Sequence, residues 1–223
     1  MKMSSRPVNE DMQSFNRPPS FTRSQEYFGL YKEVVDRLPY SAVDEVIEEL
    51  LLRYEQGRAM FLFGNGGSAS LASHMACDLG KGTVVNGNPQ PRFRVVALTD
   101  NIPLMTAWAN DVSYDRIFAE QLQNLIYPGD VAFAISGSGN SPNVLAGLQV
   151  ARAVGAVTMG LTGFQGGKMR ALCDFCVVVP SNNMQIIEDF HLSVAHAIFS
   201  VIRDRLCTGA TRSRVFAKAT SSD

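Results

Sequence analysis

Excess charge is what this sequence most lacks. Twenty basic and 21 acidic residues leave a net charge of −1. Without a basic surplus there is no electrostatic case for nucleic acid or an acidic membrane as the main partner. No apolar run is long enough to span a bilayer. The first twenty residues mix Ser, Pro, Asn and charge and hold no signal-peptide core, so a cytoplasmic location is expected. Four cysteines, Cys77, Cys173, Cys176 and Cys207, make no disulfide framework for a chain this large. Cys173 and Cys176 form one C-x-x-C with no second pair, and free thiols are the expectation. Histidine is equally scarce. Any imidazole chemistry falls to His74, His191 or His196.

What the chain does have is apolar residues, 46% of 223, against 18% charged. That is enough for one well-buried domain with elaborations. Residues 1–23 read as a flexible leader and 209–223 as a flexible tail. Helical periodicity runs over 24–38 and 41–56, with Gly57 as a stop. Apolar runs then recur at 59–63, 93–99, 130–136, 156–162 and 175–180. Helical segments fill 68–80, 103–109, 115–126, 141–153, 167–172 and 184–206. Continuous apolar strands alternating with helices predict a parallel sheet covered on both faces, over about 58–208, behind an N-terminal helical extension over 24–57.

In such sheets ligands gather beyond the carboxyl ends of the strands. Every predicted strand here ends in small polar residues. The first leads into Gly64, Asn65, Gly66, Gly67 and Ser68, where a helix begins. Glycines at a helix N-terminus make an anion site, since free N–H groups and the helix dipole favour phosphate. The turn matches neither a Walker A loop nor a dinucleotide fingerprint. The second strand leads into Asp100 and Asn101. The third leads into Ser136, Gly137, Ser138, Gly139, Asn140 and Ser141 ahead of Pro142, a second hydroxyl-rich turn suited to phosphate.

His74 and Asp78 lie at i, i+4, so one helix presents both to one place. Glu188 and His196, eight residues apart, share one side of the apolar C-terminal helix, with His191 turned away and expected to satisfy backbone groups. That helix and the two N-terminal helices carry more apolar surface than one small sheet covers, which predicts self-association.

The segments GNGGSASLASHMACDLGKG, ALTDN, AWANDVSYDRIFAEQL, PGDVAFAISGSGNSPNVL, GLTGFQGGKM and VPSNNMQIIEDFHLSVAHAI resemble the sugar isomerase (SIS) domains of the phosphoheptose isomerases, over roughly residues 26–206. Those enzymes interconvert D-sedoheptulose 7-phosphate and D-glycero-D-manno-heptose 7-phosphate. The resemblance implies a three-layer α/β/α sandwich on a five-stranded, flavodoxin-like parallel sheet. It also implies a homotetramer with sites between subunits, and often a bound zinc.

By the same resemblance, Ser68, Ser136, Ser138 and Ser141 match phosphate-binding serines, with Gly66 and Gly67 in the first turn. Asn65, Asp100 and Asn101 fall in the substrate contacts. His74 matches a metal ligand, and His196 the catalytic histidine that also binds metal. Asp78 stands where the family has a catalytic glutamate, Glu188 where it has a glutamine, and Gly137 where it has a threonine. The expected metal set is His74, Asp78, Glu188 and His196, suited to zinc or another divalent ion. Asp78 and His196 are the candidate proton-transfer groups, and Glu188 also falls at the substrate. A heptose phosphate is the expected ligand, with no membrane or nucleic-acid partner. Two rivals stand beside this reading. One is a non-catalytic sugar-phosphate module like the DnaA initiator-associating proteins. The other is an isomerase like that of glucosamine 6-phosphate synthase, which needs a pocket lysine where this chain offers only Lys81 and Lys168.

Overall fold

The computed structural model describes residues 20–84 and 91–208. Most of the predicted leader, residues 1–19, and the whole predicted tail lie outside them. Five strands, β1 (Ala59–Gly64), β2 (Arg94–Ala97), β3 (Val131–Ser136), β4 (Val157–Thr162) and β5 (Phe175–Val178), form one sheet in the order β2-β1-β3-β4-β5. Every pairing is parallel, with Leu62 opposite Ala97 on one side and Phe133 on the other. This is the flavodoxin-like order.

Seven α-helices lie among the described residues: α1 (Ser24–Asp36), α2 (Tyr40–Glu55), α3 (Gly67–Cys77), α4 (Ile102–Asp111), α5 (Ile117–Leu125), α6 (Pro142–Val154) and α7 (Met184–Thr208). The period-2 alternation of the strands sorts the core into two layers. Met60, Leu62, Phe133 and Ile135 face α2, α3 and α7, where Leu50, Leu71, Met75 and Ile198 are buried. Phe61, Phe63, Ala132 and Ala134 face α5 and α6, where Phe118, Leu122 and Leu148 are buried. A third, smaller cluster joins Val34 of α1 to Ile186, Ile187 and Phe190 at the start of α7.

Element boundaries follow the sequence closely, with a few local differences. β2 and β5 are shorter than their apolar runs, and the segment at 167–172 is only a 3-10 turn, Met169–Leu172. The helix expected over 68–80 stops being α-helical at Cys77 and widens into a π turn over Asp78–Gly82. The assembly argument also changes. Val46, Leu50, Ile198 and Ile202 are fully buried within the single chain, so α2 and most of α7 are covered by their own sheet. Two helices are left largely uncovered: none of IPLMTAWAND in α4 is buried, with Ile102 66% exposed, and α1 buries only Val34, with Phe28 66% exposed.

Two loops meet at the top of the sheet with no room for side chains. Gly139 (φ 64°) and Gly167 (φ 54°) both require the left-handed region. A Cβ on Gly139 would collide with the Gly166 carbonyl. The contact is fixed by Met169 N donating to Gly139 O (3.0 Å) and Lys168 N donating to Asn140 Oδ1 (3.1 Å). Gly139→Ala should therefore destabilise the protein by about 2 kcal/mol, combining φ strain with overpacking. A urea midpoint equal to wild type would contradict this close approach.

Candidate active site

The strand order reverses between β1 and β3, and the two serine-containing turns leave the sheet there. After β1, Gly66 adopts φ 55° and ψ −122°, and α3 starts at Gly67 without a side-chain cap. Ser68 is buried in its first turn. After β3, Ser141 occupies the N-cap of α6 with Pro142 at N1. Its hydroxyl does not cap the helix. It faces Ser136 Oγ at 3.3 Å instead, which leaves the pair turned toward one another across the turn. Ser138 accepts from Asn140 N (3.2 Å) and tightens the loop. No charged side chain is needed to build this cradle. Gly137, where the resembling family has threonine, is matched by Met184: its sulfur lies 2.5 Å from where a Cβ on Gly137 would sit.

Asn65 is held by residues the sequence did not single out. It exchanges two amide hydrogen bonds with buried Asn143, each 2.8 Å, and its Oδ1 also accepts from the Tyr114 hydroxyl (3.0 Å). Oδ1 is thereby saturated, and one Nδ2 proton remains to meet a ligand. Asn143 in SPNV and Tyr114 in VSYDR are polar residues at a helix start, and a sequence offers no sign that they reach Asn65. Asp100 accepts from the Ser73 hydroxyl. Asn101 caps α4 through Leu104 N (3.1 Å), a structural use that takes up its acceptor.

His74, Asp78 and His196 converge. The two Nε2 atoms lie 2.8 Å apart, and Asp78 Oδ2 is 3.3 Å from His74 Nε2 and 3.9 Å from His196 Nε2. Bonds of ~2.0–2.1 Å to a tetrahedral zinc ion put neighbouring donors about 3.3 Å apart, so the group fits a divalent cation held on three protein ligands with a position left open. It is the group of metal-competent residues found among those described. Glu188, expected as the fourth ligand, is not part of it. Within this chain its carboxylate turns toward the first turn of α3. Glu188 sits at the start of α7 with its carboxylate 3.6 Å from the position a Cβ on Gly67 would take. A cavity of about 310 Å³ between α3 and α7 is lined by Glu188 at one end and His74 at the other.

His191 departs from expectation. It is buried, lines that same cavity, and neither ring nitrogen has a hydrogen-bond partner among the described residues. Burial pushes its pKa down to about 4, opposed by the Thr162 backbone, which is not at hydrogen-bond geometry. Lys81 and Lys168 are both exposed. Cys173 and Cys176 are free thiols that share a hydrogen bond, which holds the first well above the usual thiol range and draws the second down.

The depressed His191 pKa has a stability consequence. Between the unfolded value near 6.5 and the folded value near 4, the unfolded chain binds the extra proton, so acidification destabilises the fold, by about 3 kcal/mol in full. Urea midpoints measured from pH 7 to pH 4 should fall less steeply for His191→Leu than for wild type. Parallel slopes would contradict a neutral buried imidazole.

Comparison with known proteins agrees with this geometry. The SIS domain family matches residues 26–163. A phosphoheptose isomerase of Trichlorobacter lovleyi is 35% identical over 82% of this chain and 91% of its own length. One from Rhodospirillum rubrum is 42% identical over 68% of this chain and 79% of its own. Among solved structures, the phosphoheptose isomerase of Neisseria gonorrhoeae superposes with a TM-score of 0.74 at 28% identity, covering 82% of this chain and 97% of that one. A domain match across more than half the chain, joined to relatives covered nearly end to end, leaves one conclusion: the chain belongs to the SIS-domain family, among its phosphoheptose isomerases.

Proposed function

We propose that this protein is an aldose–ketose isomerase that interconverts D-sedoheptulose 7-phosphate and D-glycero-D-manno-heptose 7-phosphate. One observation supports the reading: His74, Asp78 and His196 converge in one imidazole–carboxylate group on α3 and α7, in a chain whose turn after β3 forms an uncharged serine cradle. Hydroxyls of Ser136, Ser138 and Ser141 and free N–H groups hold the phosphate at one end. Binding there orients the carbon chain toward His74, Asp78 and His196.

Isomerisation requires removal of a proton from the carbon beside the carbonyl, giving an enediol, and its return to the neighbouring carbon. Asp78 turns Oδ2 to both imidazoles, so its other oxygen is the one left to take that proton. His196 can hydrogen-bond the oxygen on which charge develops. A divalent ion, zinc in this reading, fits His74, Asp78 and His196 and when bound would supply Lewis-acid stabilisation of that charge. His74, Asp78 and His196 would hold such an ion through one atom each, and Asp78 keeps its second oxygen for the proton.

The same reading includes a homotetramer with sites at subunit contacts, supported by the uncovered apolar face of α4 beside Asp100 and Asn101. It also includes a cytoplasmic location, supported by four free thiols. Among the described residues no helix is long and apolar enough to cross a membrane.

Purified protein should turn over D-sedoheptulose 7-phosphate, and Asp78→Asn and His196→Ala should each lower kcat by about 10²-fold or more. Elemental analysis of protein prepared without chelator should show metal that is lost from both variants. Binding without turnover in the wild type would favour the non-catalytic module. Full activity of His196→Ala, or metal content unchanged in both variants, would overturn the site assignment.

A further inference from the structure

We infer that the cavity beside α1, at the carboxyl ends of β4 and β5, is a second binding site. Its ligand is a small molecule that joins a planar ring to one phosphate, the chemistry of a mononucleotide. This goes beyond the isomerase reading and does not depend on it. The cavity encloses about 740 Å³, a volume ordinary for small-molecule sites. It shares no lining residue with the cavity between α3 and α7.

The lining divides into two halves. Leu30 of α1, Val178 at the end of β5, Pro180 and Phe164 form an apolar wall. Phe164 holds φ 51° and is the one non-glycine residue with positive φ among those described. A bulky side chain in the left-handed region is strained, and such strain gathers at ligand sites. Phe164 N donates to Ser181 O (3.0 Å), which ties the turn after β4 to the turn after β5 across the cavity. The other half is polar. Arg37, the C-cap of α1, is the one charged residue in the lining. Its Nε donates to the Glu33 carbonyl (3.3 Å), and its guanidinium has no carboxylate partner among the described residues. Ser181 Oγ accepts from Asn183 N (3.1 Å) and keeps its own proton to donate. Gln165 and Asn182 add two exposed primary amides.

These halves select the ligand. A guanidinium in a lining without carboxylates favours an anion, and its planar fork matches phosphate. A bare polyol phosphate suits the apolar wall poorly, because its hydroxyls lose water there without gaining partners. A flat ring instead buries its face against Phe164 and Leu30. Primary amides pair a donor with an acceptor, which suits the edge of a nitrogen heterocycle.

The experiment titrates adenosine 5′-monophosphate into the full chain by calorimetry, with and without D-sedoheptulose 7-phosphate. One nucleotide should bind per chain in both cases. Adenosine and inorganic phosphate, its two pieces, should each bind roughly tenfold more weakly or worse. Arg37→Gln, at an exposed position, should weaken nucleotide binding about tenfold, and Phe164→Leu, which removes the flat ring, should weaken it as well. Absence of nucleotide binding overturns the inference, as does equal affinity in Arg37→Gln. Inorganic phosphate binding as well as the nucleotide overturns it too, since the ring then contributes nothing. So does nucleotide binding that sedoheptulose 7-phosphate abolishes, which would place it in the serine turn. A protein that fails to isomerise sugar phosphates leaves the nucleotide titration to decide alone. If the variants do not fold, the side-chain amide resonances of Gln165 and Asn182 in wild type must shift on saturation with the nucleotide, and unmoved resonances overturn the inference.

Discussion

The reversal of strand order between β1 and β3 is the constraint on which this structure depends. From β1 the chain steps to β2 on one side of the sheet, and from β3 it steps to β4 on the other. Parallel crossovers are right-handed, so the two connecting helices must fall on opposite faces. They do: α3 buries Leu71 and Met75 in one layer, and α6 buries Val144 and Leu148 in the other. Diverging helices leave a crevice above the strands, and both open it with their N-termini. The serine turn, the locked amide of Asn65 and the start of the cavity beside Gly67 all follow from that one topological choice.

Electrostatics then gives the crevice a direction. The turn after β3 is uncharged, so phosphate can be held there by hydroxyls and N–H dipoles without a cation. Glu188 and Asp189 lie on the α7 side, where a second anion would be unwelcome. His74, Asp78 and His196 stand further along the parallel helices α3 and α7, a few residues past the cavity's mouth. A ligand with one anionic end and one polyhydroxylated end has a single favourable orientation in such a field.

Much of this was legible from the residues, and the parts that were not share a cause. Strand runs such as MFLF and VAFAI are buried on both faces, a pattern few other contexts produce, and the polar residues ending each strand marked the crevice. His74 and Asp78 were legible as a pair because i, i+4 is a local relation. What stayed hidden depended on distance through space or on a side chain's partners. Glu188 shares a helical side with His196, but its rise along α7 carries it to Gly67. His191 read as a satisfied core histidine, since a sequence cannot reveal that its nitrogens lack partners. Tyr114 and Asn143 reach Asn65 across 49 and 78 residues of chain. The apolar surface expected to drive assembly is only partly core: α2 and one side of α7 pack on the sheet, while Phe28 of α1 and Leu192 and Val201 of α7 stay exposed.

The central claim is that this crevice isomerises a phosphorylated sugar by proton transfer through groups in contact with solvent. His74 and His196 are about half exposed, so a proton taken from substrate by this group can exchange with water before it returns. Running the reaction on D-sedoheptulose 7-phosphate in D2O and recording the product by NMR tests this directly. The account predicts deuterium at C2 of the aldose product. A product formed without deuterium would mean that the hydrogen is moved without exchange, by hydride shift or on a base sealed from water, and would contradict it.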